Sequence, residues 1–187
     1  MKKFSINDAL SVGLVQFKKR PWYLAGLTTA FVGMFIATAS AGAVVTALSY
    51  LLYGGFLSVL LKHYHGGWIQ FDDLFDIDKR WIYFAFLGLL KMLVIGIGLV
   101  FFILPGIYLA VRLMFAELLV IDRGLRPFEA MQASYDMTAN HFWQLLLLSL
   151  VFGLLATLGF AFFLVGVFVA ITVIQFATIK VYYQLKV

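Results

Sequence analysis

Cysteine is absent from all 187 residues, which excludes disulfides, thiolate zinc sites, iron–sulfur ligation and a cysteine nucleophile. Charge is scarce as well. Asp, Glu, Lys and Arg make up 12% of the chain, about half the share of a soluble domain. The sequence contains no His-Glu-x-x-His, no Gly-x-Ser-x-Gly and no paired carboxylates within an apolar run, so the signatures of zinc proteases and serine hydrolases are missing. What is present is apolar side chain: 64% hydrophobic residues, 18% aromatic, and a mean hydropathy of +1.00. A water-soluble fold of this length still exposes roughly a third of its unfolded surface, and it cannot hide so much. The same composition excludes a disordered chain. Lipid is the solvent this sequence requires.

A bilayer core of about 30 Å takes about 20 apolar helical residues. Six segments meet that length or approach it: 22–39, 43–61, 81–104, 107–121, 143–159 and 160–180. The first pair is joined only by Ser40-Ala41-Gly42, and the third pair meets between Gly159 and Gly166. Between the middle two lies Pro105-Gly106, the pairing expected at the centre of a type II turn. The expected fold class is therefore all-α: a polytopic bundle of six transmembrane helices forming hairpins over 22–61, 81–121 and 143–183. Of the 14 Lys and Arg, only Lys91 and Arg112 fall inside a span away from its ends. The other 12 lie in segments on one side, which the positive-inside tendency makes cytoplasmic, with both termini inside. Trp22, Trp68, Trp81 and Trp143 sit at or near that end of a span, where indole favours the headgroup level. The net charge of +5 thus points to a membrane face and gives no reason to invoke nucleic acid.

Residues 1–39 also resemble a signal peptide with a small-x-small site at Ala37-Thr38-Ala39. The basic region is too long for one and carries its own helical pattern. Ser5 and Asp8 have capping-box spacing, and Ile6, Leu10, Gly13, Leu14 and Phe17 share a face. Segment 1–20 therefore reads as an interfacial helix whose basic cluster, Lys18, Lys19 and Arg20, meets anionic headgroups, or as a helix packed on the bundle. A second such helix is expected within 123–141, where Phe128, Met131, Tyr135, Thr138 and Phe142 repeat at helical spacing. It would lie horizontally and feed the fifth span. The loop 62–80 holds His63, His65, Asp72, Asp73, Asp76 and Asp78, a ligand-rich composition whose spacing matches no defined metal site. Asp72-Asp73 reads instead as the capped start of a short helix.

The run Leu104 to Leu113, with Phe115-Ala116, Glu129-Ala130, Ser134, Thr138 and His141-Phe142-Trp143, resembles a pattern found in small bacterial integral membrane proteins of uncharacterised function. These are related to the membrane domain of some glycerophosphodiester phosphodiesterases and to the YciC-like proteins. Phe17-Lys18-Lys19 and Asp72 through Phe75 also fit, whereas Arg123 and Lys91 depart from the pattern. The resemblance implies a six-helix module of the cytoplasmic membrane. It brings no catalytic residues and no cofactor.

Lys91, Arg112 and Glu117 are the candidate site residues, because a charge inside a span costs about 2.5–3.5 kcal/mol even on the lenient insertion scale. Counted from Pro105-Gly106, Lys91 lies roughly 21 Å deep and Glu117 roughly 16 Å, so a lysine stem can close the gap. A Lys91–Glu117 pair is expected. Arg112, about 9 Å from the same turn, has no partner in the sequence and faces either Gly96 and Gly98 or phosphates of the outer leaflet. The surplus positive charge invites an anionic headgroup or solute, although the three charges could equally form a structural clamp. Ser149, Gly153 and Thr157 form a small-xxx-small strip for helix packing. Two readings follow: a non-enzymatic module that associates with membrane lipids or acts as a scaffold, and a small transporter or channel, working as a homo-oligomer, that passes an anionic solute or lipid by way of Lys91, Arg112 and Glu117.

Overall fold

A computed structural model of the chain describes residues 5–39, 43–74, 80–101, 103–161 and 163–186. Among them every regular element is helical. In chain order these are α1 (Ile6–Lys19), α2 (Pro21–Ala39), α3 (Ala43–Tyr64), α4 (Arg80–Phe101), α5 (Ile103–Arg112), α6 (Ala116–Arg123), α7 (Pro127–Thr138), α8 (Phe142–Ala161) and α9 (Phe163–Leu185). Short 3-10 turns occupy Phe71–Leu74 and Ala139–His141. The junction Ser40–Gly42 and the acidic positions Asp76 and Asp78 lie outside the described residues. Asp72-Asp73 does not start the expected short helix: the 3-10 turn begins at Phe71, and Asp73 within it accepts at Oδ2 from the Gln70 backbone N–H at 2.8 Å.

Among the described residues, four stretches are long and apolar enough to cross a membrane: Arg80–Val100, Ile103–Arg123, Pro127–Phe160 and Gly166–Leu185. The chain is thus compatible with a multi-pass membrane protein. Along the first two, Met92 is 76% exposed, Val100 84% and Leu104 80%. Large apolar side chains uncovered by protein are what helices surrounded by lipid present.

The helices group into two compact units. The first comprises α1, α2, both ends of α3, the later part of α8 and α9. Here α1 lies against α9, with Gly13 beside Val173 and Asp8 reaching Lys180 (3.8 Å) and Gln184 (3.3 Å). Ser5 is the N-cap of α1, yet its side chain makes no capping hydrogen bond, so the expected Ser5–Asp8 box does not form. Asp8 turns to α9 instead. The covered face of α1 is Ala9, Gly13 and Gln16, while Leu14 and Val15 are exposed. Small residues bring the backbones together, and Leu14 of the expected apolar face is left at the surface. Thr28 of α2 and Thr172 of α9, both fully buried, join at 2.7 Å. His63, at the end of α3, is buried against Phe176 and lies 3.4 Å from the Gln16 carbonyl. Burial holds its imidazole below the usual histidine range.

The second unit takes the middle of α3 (Tyr50–Val59) and Ile69–Leu146. Its centre is the hairpin of α4 and α5. Pro105 and Gly106 are not its turn: both lie in the first turns of α5, and Gly106 lacks the positive φ that a type II turn needs at its third position. Proline fits the start of a helix, where its missing N–H has no partner to lose. Gly106 is used for close approach. A Cβ on Gly98 of α4 would lie 3.0 Å from the Gly106 Cα, so the two helices touch backbone to backbone.

Helix α7 follows the same logic as α1. Its covered face is Pro127, Ala130, Ser134 and Thr138, while Phe128 of the expected stripe is 66% exposed. The Glu129 carboxylate accepts from the Arg126 N–H at 3.1 Å, closing the first turn. The helix packs along the hairpin, Phe128 meeting Phe86 of α4 and Tyr135 meeting Tyr108 of α5.

Candidate functional site

The stretch Ile103–Arg123 is not one helix. It stops at Arg112, turns over Leu113, Met114 and Phe115, and resumes at Ala116. A break inside lipid leaves backbone groups without partners, and these are costly unless protein supplies them. Ser134 of α7 supplies two. Its hydroxyl donates to the Arg112 carbonyl at 2.8 Å and accepts from the Phe115 N–H at 3.2 Å, which uses both capacities of a hydroxyl. The Thr138 hydroxyl lies 3.3 Å from the same Arg112 carbonyl. Two of the three expected charges flank this break. Arg112 is the last residue of α5, at the negative end of its dipole, and Glu117 is in the first turn of α6, at the positive end. Each charge thus sits where the peptide dipoles favour it.

Lys91 and Glu117 come together. Lys91 Nζ donates to Glu117 Oε1 at 2.9 Å, each side chain retaining 16% exposure. The same oxygen accepts from the Tyr50 hydroxyl at 2.8 Å. Tyr50 is held by stacking on Phe84 (4.9 Å between centroids) and lies across Gly88, where any Cβ would collide with its ring. The carboxylate is therefore paired with one ammonium and one phenol, a neutral and closed arrangement.

Arg112 stands apart from this pair. Its side chain is 6% exposed, and its Nε and Nη1 have no hydrogen-bond partner. The guanidinium is flanked by aromatic rings instead, 3.9 Å from the Tyr135 centroid and 5.3 Å from that of Tyr108. The two phenol oxygens are 3.1 Å apart on the exposed side. Tyr108 also packs on Phe142 (5.0 Å), and Phe142 packs on Trp143. Arg112 is thus placed beside the start of α8, not towards Gly96.

Of the interfacial basic cluster, Lys18 and Lys19 are exposed and Arg20 lies over the Trp68 ring at 4.8 Å. His65 is 2.8 Å from the Tyr183 hydroxyl, and His63 is packed as described. Among the described residues no three His, Asp or Glu converge as metal ligands. Tyr50, Tyr108, Ser134 and Tyr135 are the site residues that spacing alone missed. The one available signal is general: a tyrosine or serine in an apolar run has a hydroxyl that must find a partner. No protein-family model, curated protein or solved structure matches this chain, so the resemblance to the phosphodiesterase-associated and YciC-like proteins rests on sequence pattern alone.

Proposed function

We propose that this chain is a non-enzymatic, multi-pass protein of a bacterial cytoplasmic membrane, with six spans and both termini inside, which associates with anionic lipid. The observation that carries the reading is the grouping of 12 of its 14 Lys and Arg into the four segments 1–20, 62–80, 123–141 and 180–187, away from the middle of any apolar run. Trp22, Trp81 and Trp143 support it, each being the second residue of a long apolar helix. A basic residue near an anionic leaflet contributes about 1 kcal/mol, so three in Lys18, Lys19 and Arg20 are enough to enrich acidic lipid. The measurement is the lipid composition of polymer-excised native discs. We expect phosphatidylglycerol and cardiolipin to be enriched about twofold or more over the bulk membrane, with part of the enrichment lost on replacing the three basic residues by Gln. A composition equal to the bulk contradicts the reading.

The broken helix at Leu113–Phe115 favours a second reading, since interrupted helices line the binding sites of many transporters. Under that reading the homo-oligomer conducts an anionic solute or lipid past Lys91, Arg112 and Glu117. Anion flux in proteoliposomes, reduced by Arg112→Gln, is the result that would select it.

A further inference from the structure

We propose that Arg112, Tyr108 and Tyr135 form a receptor for a phosphate group, presented either by an anionic phospholipid headgroup or by a soluble phosphate; the lipid form rests on the lipid-associating reading above. The starting point is a cation without an anion. Arg112 is 94% buried, two of its three guanidinium nitrogens are unpartnered, and Glu117 is already engaged by Lys91 and Tyr50. Buried donors left unmade are expensive, and charged ones most of all.

The unmet donors are the right ones for phosphate. A guanidinium grips a phosphate or carboxylate through an edge of two nitrogens. Nε and Nη1 lie on different edges of Arg112, so on either edge one unmet donor is open to a phosphate oxygen beside Nη2. The Tyr135 ring, stacked at 3.9 Å, holds the guanidinium plane and excludes water from one face. The paired phenols add donors. Tyr108 and Tyr135 can satisfy only one of their two hydroxyl protons in their mutual contact at 3.1 Å, so the other is available to a phosphate oxygen. The Arg112 carbonyl, which would repel an anion, already accepts from the Ser134 hydroxyl.

Access also fits. Tyr108 is 36% exposed and Tyr135 38%, so the two rings that flank the guanidinium border the surface. Phe142 joins Tyr108 to Trp143, which is itself exposed, so the site adjoins an uncovered aromatic face that acyl chains can cover.

The test uses the full chain in detergent, with native mass spectrometry for retained lipid and thermal unfolding for soluble phosphate. The lipid probes are phosphatidic acid and, as the phosphate-free control, diacylglycerol. Phosphatidic acid should be retained on the parent and diacylglycerol should not. Arg112→Gln should weaken retention about tenfold or more. Tyr135→Phe, which keeps the stacked ring and so preserves the fold, should weaken it roughly threefold to tenfold. If phosphatidic acid does not bind but inorganic phosphate raises the melting temperature of the parent and not of Arg112→Gln, the receptor stands and its ligand is soluble. If native discs remain enriched in anionic lipid while both variants retain phosphatidic acid as the parent does, lipid association stands and this receptor is overturned. Indifference of parent and variants to both probes overturns it as well.

Discussion

Lys91→Met should lower the unfolding free energy by about 3 kcal/mol, the lower end for breaking a buried ion pair, because it leaves Glu117 in an apolar site with only the Tyr50 phenol. The lower end applies because both partners retain some exposure, 16% each. Glu117→Gln alone should cost less, since an amide oxygen still accepts from Tyr50 and Lys91 can extend toward the headgroups. The double change Lys91→Met with Glu117→Gln should recover most of the loss, as apolar replacement of a whole buried pair is often neutral. Equilibrium unfolding in mixed micelles reads all three. Such recovery, with lipid retention unchanged, assigns Lys91 and Glu117 to a structural clamp. Loss of retention in a folded double variant makes them part of a site. No change in Lys91→Met would mean that the 2.9 Å pair contributes nothing.

The contact of α4 with α5 carries the second large effect. At Gly106 a Cβ would lie 2.5 Å from the Leu99 side chain and 2.8 Å from the Leu99 backbone nitrogen. The nitrogen cannot move without moving α4. Gly106→Val should therefore destabilise by about 3 kcal/mol, at the upper end of overpacking costs, and spread the hairpin. Gly96, on α4 three residues before Leu99, has nothing within 4 Å of its Cβ position. Gly96→Ala should be neutral or stabilise by up to about 1 kcal/mol through helix propensity. Equal effects of the two changes would contradict the backbone-to-backbone contact.

The helices were legible in the sequence because lipid demands long apolar runs, and α2, α4, α8 and α9 each begin within three residues of the segment expected. Which face of a helix is covered was not legible. Periodicity places Leu14 of α1 and Phe128 of α7 on the apolar stripes of interfacial helices, and both are left uncovered by protein. In lipid an apolar side chain gains nothing by leaving the surface, so close packing selects Ala9 and Gly13, Ala130 and Ser134 instead. The break after Arg112 was invisible for a different reason. Leu113-Met114-Phe115 holds no Gly or Pro, and the hydroxyl that stabilises the break comes from Ser134, 22 positions away in the hydrogen-bonded pair. The expected Lys91–Glu117 contact forms although Pro105-Gly106 is not the turn from which depth is counted. The hairpin reverses before Pro105, and moving the origin shortens one arm as it lengthens the other, leaving a mismatch of about 5 Å within reach of lysine.

Threading is the claim on which the membrane reading rests, and a sequence without cysteine allows it to be tested one thiol at a time. Single substitutions Ala41→Cys, Gln70→Cys and Lys186→Cys, treated in intact cells with a membrane-impermeant maleimide, give the most direct measurement. With six spans and both termini inside, Ala41→Cys labels from outside, and Gln70→Cys and Lys186→Cys label only after the membrane is opened. Labelling at position 70 or 186 in intact cells, with protection at 41, would contradict it.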